Sequence, residues 1–458
     1  MSREQQARHS LPPGPRIPKV IQGVLFWRRV IWFFDRCRNR YGEYFTVYAP
    51  PWGKLVVIAN PADIRKIWAG DATVGDAGIA YGKIYDRAMG PRSVFVLDGD
   101  DHVRTKQLVS PALHGERVRR YHQLMTELAA AEIDSWPVGE PVRVADNTRH
   151  LTLEIILRVI FGIGEADDNE VDELRKRLPE LVDPGLILQS GWALPWLERV
   201  GPWRRMRRRI DELYALLDDL IARRRAESDL EDRDDVLSHL LITRTTDGKS
   251  LSNDEVRDQL VTLLTAGHEP TSTGVAWAIE RLMRHPDKLE RLRSELAEGR
   301  TEYLDAVMKE TLRVRPIVFG GLRKLVKDVE VGGYHLPAGI HVSPSTTGVH
   351  HDEARWDAAM EFRPERFLDG SDDDSNWIPF GGGRRRCVGA AFATAEIKAV
   401  LATFVSRAEL VPVRDRPEGT RARVVTQVPA RGAEAIVVRH ITPASEREST
   451  AVGEPVPS

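Results

Sequence analysis

PFGGGRRRCVGA, Pro379 to Ala390, packs one cysteine into a turn of glycines and arginines, just ahead of a helical pattern. Gly381, Gly382 and Gly383 open backbone angles closed to other residues and let the chain run close to a flat ligand. They also leave backbone N–H groups free to point at sulfur. Beyond Cys387 the segment AAFATAEIKAVLATFV carries Ala391, Ala395, Val400 and Phe404 at helical spacing. A helix N-terminus and the flanking Arg384, Arg385 and Arg386 all favour thiolate over thiol.

A thiolate so placed has few jobs. The chain holds two cysteines, Cys37 and Cys387. That is too few for a four-cysteine iron–sulfur cluster or a cysteine-rich zinc site. It also argues against a disulfide-built secreted domain. A nucleophilic cysteine needs a positioned histidine, and none stands out. The bland alternative is an inert buried cysteine beside a basic loop. Axial ligation of haem iron accounts for more of the neighbours. Hydrogen bonds and charge around the sulfur would set a redox potential. Arg385 offers a planar fork to a propionate, and Gly389 leaves the new helix no side chain to clash with a macrocycle.

The turn resembles the haem-binding signature of the cytochrome P-450 family, FxxGxRxCxG. Phe380, Gly383, Arg385, Cys387 and Gly389 fill its fixed positions. Three further family motifs occur in the family's order, so the resemblance covers about Leu11 to about Val438. One is ExxR, Glu310 and Arg313 in EYLDAVMKETLRVRP, whose spacing puts both side chains on one helix face. Another is FRPERF, Phe362 to Phe367. The resemblance implies that Arg366 completes a buried triad with Glu310 and Arg313, bracing the loop that leads to the cysteine. These three roles are structural.

The last motif is AGHEPTS, Ala266 to Ser272, in a helical stretch from about Asn253 to His285 opened by Ser252 and Asn253. It resembles the family's central helix on the distal face of the haem. Ala266 and Gly267 then leave room for oxygen, and Glu269 matches the acid of an acid–alcohol pair. Where the family usually has threonine directly after the acid, this chain has Pro270, with Thr271 one place later. Proline removes an N–H and clashes one turn back, which predicts a kink. One position is about 100° around a helix, so Thr271 reaches the oxygen site only if the backbone turns it there. Glu269 and Thr271 are the expected proton relay; the alternative is that Glu269 only braces the helix and ordered water delivers protons. His102 matches the family's usual propionate histidine. Lys106 stands where arginine is common, and Arg323 falls at the propionate arginine. Phe380, Gly381, Arg385, Cys387 and Gly389 complete the expected cradle of haem b (iron protoporphyrin IX).

Length and composition agree. The 458 residues show no linker or internal repeat, and hydrophobic content of 42% suffices for a large core. The resemblance implies one large, mainly α domain with a small β-rich part over residues 11–439. A polar segment precedes it at 1–10, and a polar tail expected to be disordered follows at 440–458. Net charge is −2, so nucleic acid is not an expected partner despite WRRMRRR at Trp203 to Arg209. No secretory signal is visible. Val20 to Phe34 is too short to span a bilayer and is broken by Arg28 and Arg29; it reads as an amphipathic helix. Residues 1–40 carry nine Arg or Lys and two Asp or Glu, so membrane contact is expected to be peripheral at most. The expectation is a cytoplasmic monomer.

The activity implied is insertion of one oxygen atom of O2 into a C–H bond of a hydrophobic small molecule. Nothing resembles a flavin or nicotinamide site, which implies electrons from a ferredoxin and its reductase. Arg384 and Arg386 are candidates for the docking face of an acidic partner. The alternatives are a peroxide-driven or isomerising haem-thiolate enzyme and a non-enzymatic haem sensor. By family position the substrate pocket draws on Gly75 to Val96, Asp183 to Trp203, Leu263 to Thr271 and Ile317 to Phe319. Leu263, Ala266, Gly267, Val318 and Phe319 are its named members. Such a pocket suits a fatty acid, terpenoid, steroid or polyketide.

Overall fold

The computed structural model describes residues 11–70, 73–162, 169–182, 195–245, 248–368, 376–423 and 425–442. The polar residues 1–10, most of the expected pocket stretch 183–203 and the tail from 443 lie outside them. Among the described residues the chain runs α1 (Lys19–Tyr41), β1 (Tyr44–Ala49), β2 (Gly53–Ile58), α2 (Pro61–Ala69), β3 (Gly75–Asp76), α3 (Ala77–Met89), α4 (Gly99–Val109), α5 (Gly115–Asp134), β4 (Pro141–Arg143), α6 (Val144–Phe161), α7 (Asn169–Val182), α8 (Gly201–Ala226), α9 (Val236–Ile242) and α10 (Asn253–Met283). There follow α11 (Pro286–Ala297), α12 (Glu302–Val314), β5 (Arg323–Leu325), β6 (Val329–Val331), β7 (Tyr334–Leu336), β8 (His341–Pro344), α13 (Thr346–His350), α14 (Ala390–Arg407), β9 (Ala408–Pro412), β10 (Thr420–Arg423), β11 (Thr426–Pro429) and β12 (Glu434–His440).

Helix α10 is the axis of the molecule. A capping box starts it: the Glu255 amide donates to Ser252 Oγ at 3.3 Å, and the Ser252 amide donates to Glu255 Oε2 at 2.8 Å. From there Val256, Leu260, Leu264, Val275, Ile279 and Leu282 are buried. Each buries on the order of 1.5–3 kcal/mol of apolar side chain. The helix runs unbroken through Pro270. Proline still withholds its N–H from the Ala266 carbonyl one turn back. Helix α6 pins this stretch from outside: Thr152 donates to the His268 carbonyl at 3.1 Å and Thr148 to the Ser272 carbonyl at 3.2 Å. One apolar cluster reaches from α4 to β12, so the helices form a single domain.

The small β part lies against this helical body. Its largest sheet has the order β1-β2-β8-β5-β3. Strands β1 and β2 are antiparallel with Phe45 opposite Val57, and β2 and β8 run parallel with Val56 opposite Val342. Val56, Val57 and Ile58 are all buried, as befits a strand covered on both faces. Helix α1 packs on this sheet through Phe26, Phe33 and Phe34. It extends to Tyr41, beyond the expected apolar run, and is kinked at Arg29.

A buried charge cluster joins the helices to the cysteine turn. Arg313 binds Glu310 through Nε at 2.7 Å and Nη2 at 3.0 Å, and both side chains are fully buried. Arg366 Nε adds a bond to Glu310 Oε1 at 3.1 Å, and so does the Arg363 amide at 2.8 Å. Arg313 Nη1 also donates to the His350 carbonyl at 2.7 Å, while His350 Nε2 accepts the Ile378 amide at 2.9 Å. Ile378 directly precedes the turn. His350 is neutral, because burial first and Arg313 second push its pKa well below the usual histidine value. Replacing Glu310 with Gln leaves Arg313 buried and uncompensated. The expected loss is about 3–5 kcal/mol of stability, measured as a fall in the denaturant midpoint.

Glu396 on α14 is a second buried carboxyl, and neither of its oxygens has a hydrogen-bond partner. Burial raises its pKa well above the ordinary carboxylate value, so the folded chain holds the proton. An acid whose folded pKa is raised loses stability as pH climbs above the unfolded value, about 4.3 for glutamate. The Glu396→Gln variant lacks that slope. Its melting temperature relative to wild type is expected to rise steadily from pH 5 to pH 8, by about 2 °C or more, measured by thermal scans in matched buffers.

Candidate functional site

A cavity of about 470 Å³ opens between α10 and the cysteine turn. One wall is the turn itself: Phe380, Gly381, Arg385, Cys387 and Gly389 all line it. The opposite wall is α10, through Leu263, Ala266, Gly267, Glu269 and Thr271. His102 and Lys106 enter from α4, and Val318, Phe319 and Arg323 from the segment leading into β5. The sequence-predicted cofactor, relay and pocket residues thus meet at one place. Glu310, Arg313 and Arg366 lie outside it, behind the turn.

The turn is held open by local geometry. The Cys387 amide donates to the Phe380 carbonyl at 3.0 Å, closing the loop. Two of its glycines also make room for Trp68 of α2. A Cβ on Gly382 would stand 2.3 Å from the Trp68 ring, and one on Gly383, where φ is +63°, 2.6 Å from the Trp68 carbonyl. Only small residues let that indole pack behind the loop. Cys387 lines the cavity and is exposed. The helix end and the arginines were expected to favour thiolate. The Gly389 backbone, Lys106 and Arg386 do lower the Cys387 pKa, but desolvation by the surrounding protein outweighs them and raises it, although the residue itself is open to the cavity. A coordinated metal ion is what would deprotonate such a sulfur.

Cations gather on the cavity wall beside the turn. The His102 pKa is pushed down to about 3, by burial first and then by Arg385, Lys106, Arg323 and Arg384. A neutral histidine amid four cations is a setting for anions, and a flat group carrying carboxylates fits it. Two of these cations also hold the backbone around the turn. Lys106 Nζ donates to the carbonyls of Arg384 at 2.5 Å and Arg386 at 2.9 Å. It therefore staples α4 to the turn. Arg385 pairs with Asp98 and donates to the Val94 and Leu97 carbonyls. Asp98 in turn accepts the amides of Gly78 at 2.8 Å and Ile79 at 2.7 Å, at the start of α3. Asp98 was not singled out in the sequence, since only the fold brings it to Arg385.

On α10, Thr271 is buried and its hydroxyl donates to the Gly267 carbonyl at 2.9 Å. It lines the cavity one residue later than the family pattern, with the helix unbroken. Glu269 is buried and pairs with Arg423 of β10 at 3.8 Å. Arg423 and Thr426 bring the β10–β11 hairpin into the cavity wall. The Gln427 amide fixes that hairpin by donating to the Ile317 carbonyl at 2.8 Å. Nothing in TRARVVTQ marks Arg423 in the sequence. Most of the remaining lining is apolar or aromatic, including Phe26, Trp27, Tyr81, Tyr85 and Phe95.

The family model for cytochrome P450 matches residues 12–431. A "Putative cytochrome P450 135B1" of Mycobacterium tuberculosis is 39% identical over 97% of this chain and 95% of its own length. A "Putative cytochrome P450 135A1" of the same species is 36% identical over 92% of this chain and 94% of its own. A solved structure, "Retinoic acid bound cyanobacterial CYP120A1", superposes with a TM-score of 0.82 at 21% identity, covering 94% of this chain and all of that one. With the cysteine turn and the fold, these matches show that the chain belongs to the cytochrome P450 family, whose members are haem-thiolate monooxygenases.

Proposed function

We propose that this protein inserts one oxygen atom of O2 into a C–H bond of a hydrophobic small molecule, using haem b held at Cys387. The observation that supports this most is the meeting of Cys387, the cation cluster and Glu269 with Thr271 around one largely apolar cavity. When bound, haem with a thiolate ligand supplies oxygen activation and C–H cleavage. The chain's own residues do the rest. Cys387 ligates the iron, with Phe380, Gly381 and Gly389 shaping the wall around it. His102, Lys106, Arg323 and Arg385 neutralise and orient the propionates. Ala266 and Gly267 leave space on the distal side, and Leu263, Val318 and Phe319 exclude water from the apolar substrate. Glu269 and Thr271 pass protons inward, and Arg423 holds the acid in place. Glu310, Arg313 and Arg366 act at a distance, through His350 and Ile378, on the position of the turn.

The remaining assignments are of the same kind. Electrons come from a ferredoxin and its reductase in the cytoplasm, and the monomer is the working form. Arg384 and Arg386 are exposed beside the cysteine and suit an acidic partner. Reversing both charges is expected to slow electron transfer at low salt and to leave the haem spectrum unchanged, measured by stopped-flow reduction. Spectral titration of the ferric protein with fatty acids, terpenoids, steroids and polyketides tests the main reading. A low- to high-spin shift of the Soret band names the substrate class. Absence of any Soret band after haem supplementation would remove the basis for Cys387 as ligand.

Glu269→Gln separates proton delivery from bracing. Product formed per electron consumed is expected to fall at least about tenfold, with an unchanged Soret band, measured by parallel oxygen uptake and product analysis. One observation favours a second reading, a peroxide-driven enzyme: Pro270 stands where the alcohol of the pair is usual, and Arg423 brings a guanidinium into the cavity. Glu269 already pairs with that guanidinium, which favours the oxygen-dependent reading. Product formed with hydrogen peroxide and no reductant would reverse the preference.

A further inference from the structure

Tyr81 of α3 lines the cavity together with Arg323 and Arg385, yet carries no charge of its own. Its ring is held in place. The ring centroid lies 4.6 Å from that of Phe95 and 6.0 Å from that of Tyr85, and such aromatic pairs stabilise beyond their burial. The Trp52 indole donates to the carbonyl of the preceding residue, Ala80, at 2.7 Å, which fixes that turn of the helix. The hydroxyl therefore has little freedom in where it points.

A phenol has one proton to donate as well as lone pairs that accept. The Tyr81 oxygen accepts the Leu322 amide at 2.8 Å. That bond orients the oxygen and leaves the proton unused. Among the described residues no carbonyl or carboxylate accepts it. A desolvated donor without an acceptor costs free energy, so the site favours a ligand that brings an acceptor. The neighbours say which kind. A Cβ on Gly321 would stand 3.7 Å from Arg323 Nη1 and 4.0 Å from the Tyr81 oxygen, so both groups border one small space. Gly321 and Arg323 line the cavity too. Arg385 approaches from the other side, donating to the carbonyl of Val94, the neighbour of Phe95. Burial raises the Tyr81 pKa, with Arg323, the Leu322 amide and Arg385 opposing, so the proton stays on the oxygen. An acceptor placed here meets charge from the arginines and a directional neutral donor from Tyr81. A carboxylate suits both, because hydrogen bonds to an ionised acceptor are roughly twice as strong as neutral ones. We infer, on the reading of the cavity as a haem site, that the Tyr81 hydroxyl donates to a propionate carboxylate of the haem and is a cofactor-binding residue alongside Arg323.

The test uses the full haem-loaded chain and the propionate bending band of its resonance Raman spectrum. Tyr81→Phe keeps the ring contacts and removes only the hydroxyl. It is expected to shift that band and to speed haem loss to apomyoglobin at least about tenfold. It is also expected to lower the reduction potential, because the carboxylate then keeps more of its negative charge. Replacing Tyr81 with ortho-fluorotyrosine, nearly isosteric and a stronger donor, is expected to move the band the opposite way. That second replacement decides the matter alone if the Phe variant folds poorly. A band that neither replacement moves overturns the inference, even where haem is lost faster, because the hydroxyl would then only brace Leu322. Absence of a Soret band from the wild-type chain is a different failure: it removes Cys387 as ligand, and the inference with it. None of these readings depends on turnover.

Discussion

The Glu310 carboxylate accepts bonds from Arg313, Arg366 and the Arg363 amide inside the protein. Such a cluster adds little stability compared with well-packed apolar residues, but it is costly to break. Its importance lies in what hangs from it. Arg313 holds the His350 carbonyl, and the His350 ring holds the Ile378 amide. The turn that carries Cys387 begins immediately after. Two guanidinium groups on one carboxylate therefore fix the starting angle of the loop, and with it the place of the sulfur. The rest of the site depends on that constraint, because the wall opposite, α10, is anchored independently through α6.

The site's electrostatics follow from the same arrangement. Closing the turn over Trp68 brings Arg384, Arg385 and Arg386 beside α4, where Lys106 caps two of their carbonyls. Positive charge thus accumulates on the side of the cavity where His102 is neutral and buried. Across the cavity the only acid among the described lining residues is Glu269, balanced by Arg423. One rim is cationic, the far wall carries a compensated pair, and the remainder is uncharged and mostly apolar. A flat dianionic group on one side and an uncharged apolar molecule on the other is the occupancy this distribution favours.

Much of this was legible in the sequence because the key motifs are local. FxxGxRxCxG places the cysteine, its arginine and the helix behind it within a few residues of one another. The ExxR spacing and the capping box at Ser252 are likewise set by helix geometry. Arg423, His350, Asp98 and Trp68 were not legible. Each acts on a residue far away in the chain, and a generic hairpin arginine or helix-end histidine carries no local mark of that. Two further contacts were illegible for the same reason. Lys106 donates to carbonyls that only the folded turn presents, and two glycines of that turn lie against an indole from α2. Pro270 is the converse case. Local rules predict disturbance, yet hydroxyls from α6 hold the helix line from outside.

Helix α1 closes one end of the substrate cavity with Phe26, Trp27 and Val30, and its other side is the outward face of Val20, Ile21 and Val24. The kink at Arg29 falls between Trp27 and Val30, so the cavity-lining stretches of α1 belong to two helical segments. The shape of that end of the wall is set by the angle between them.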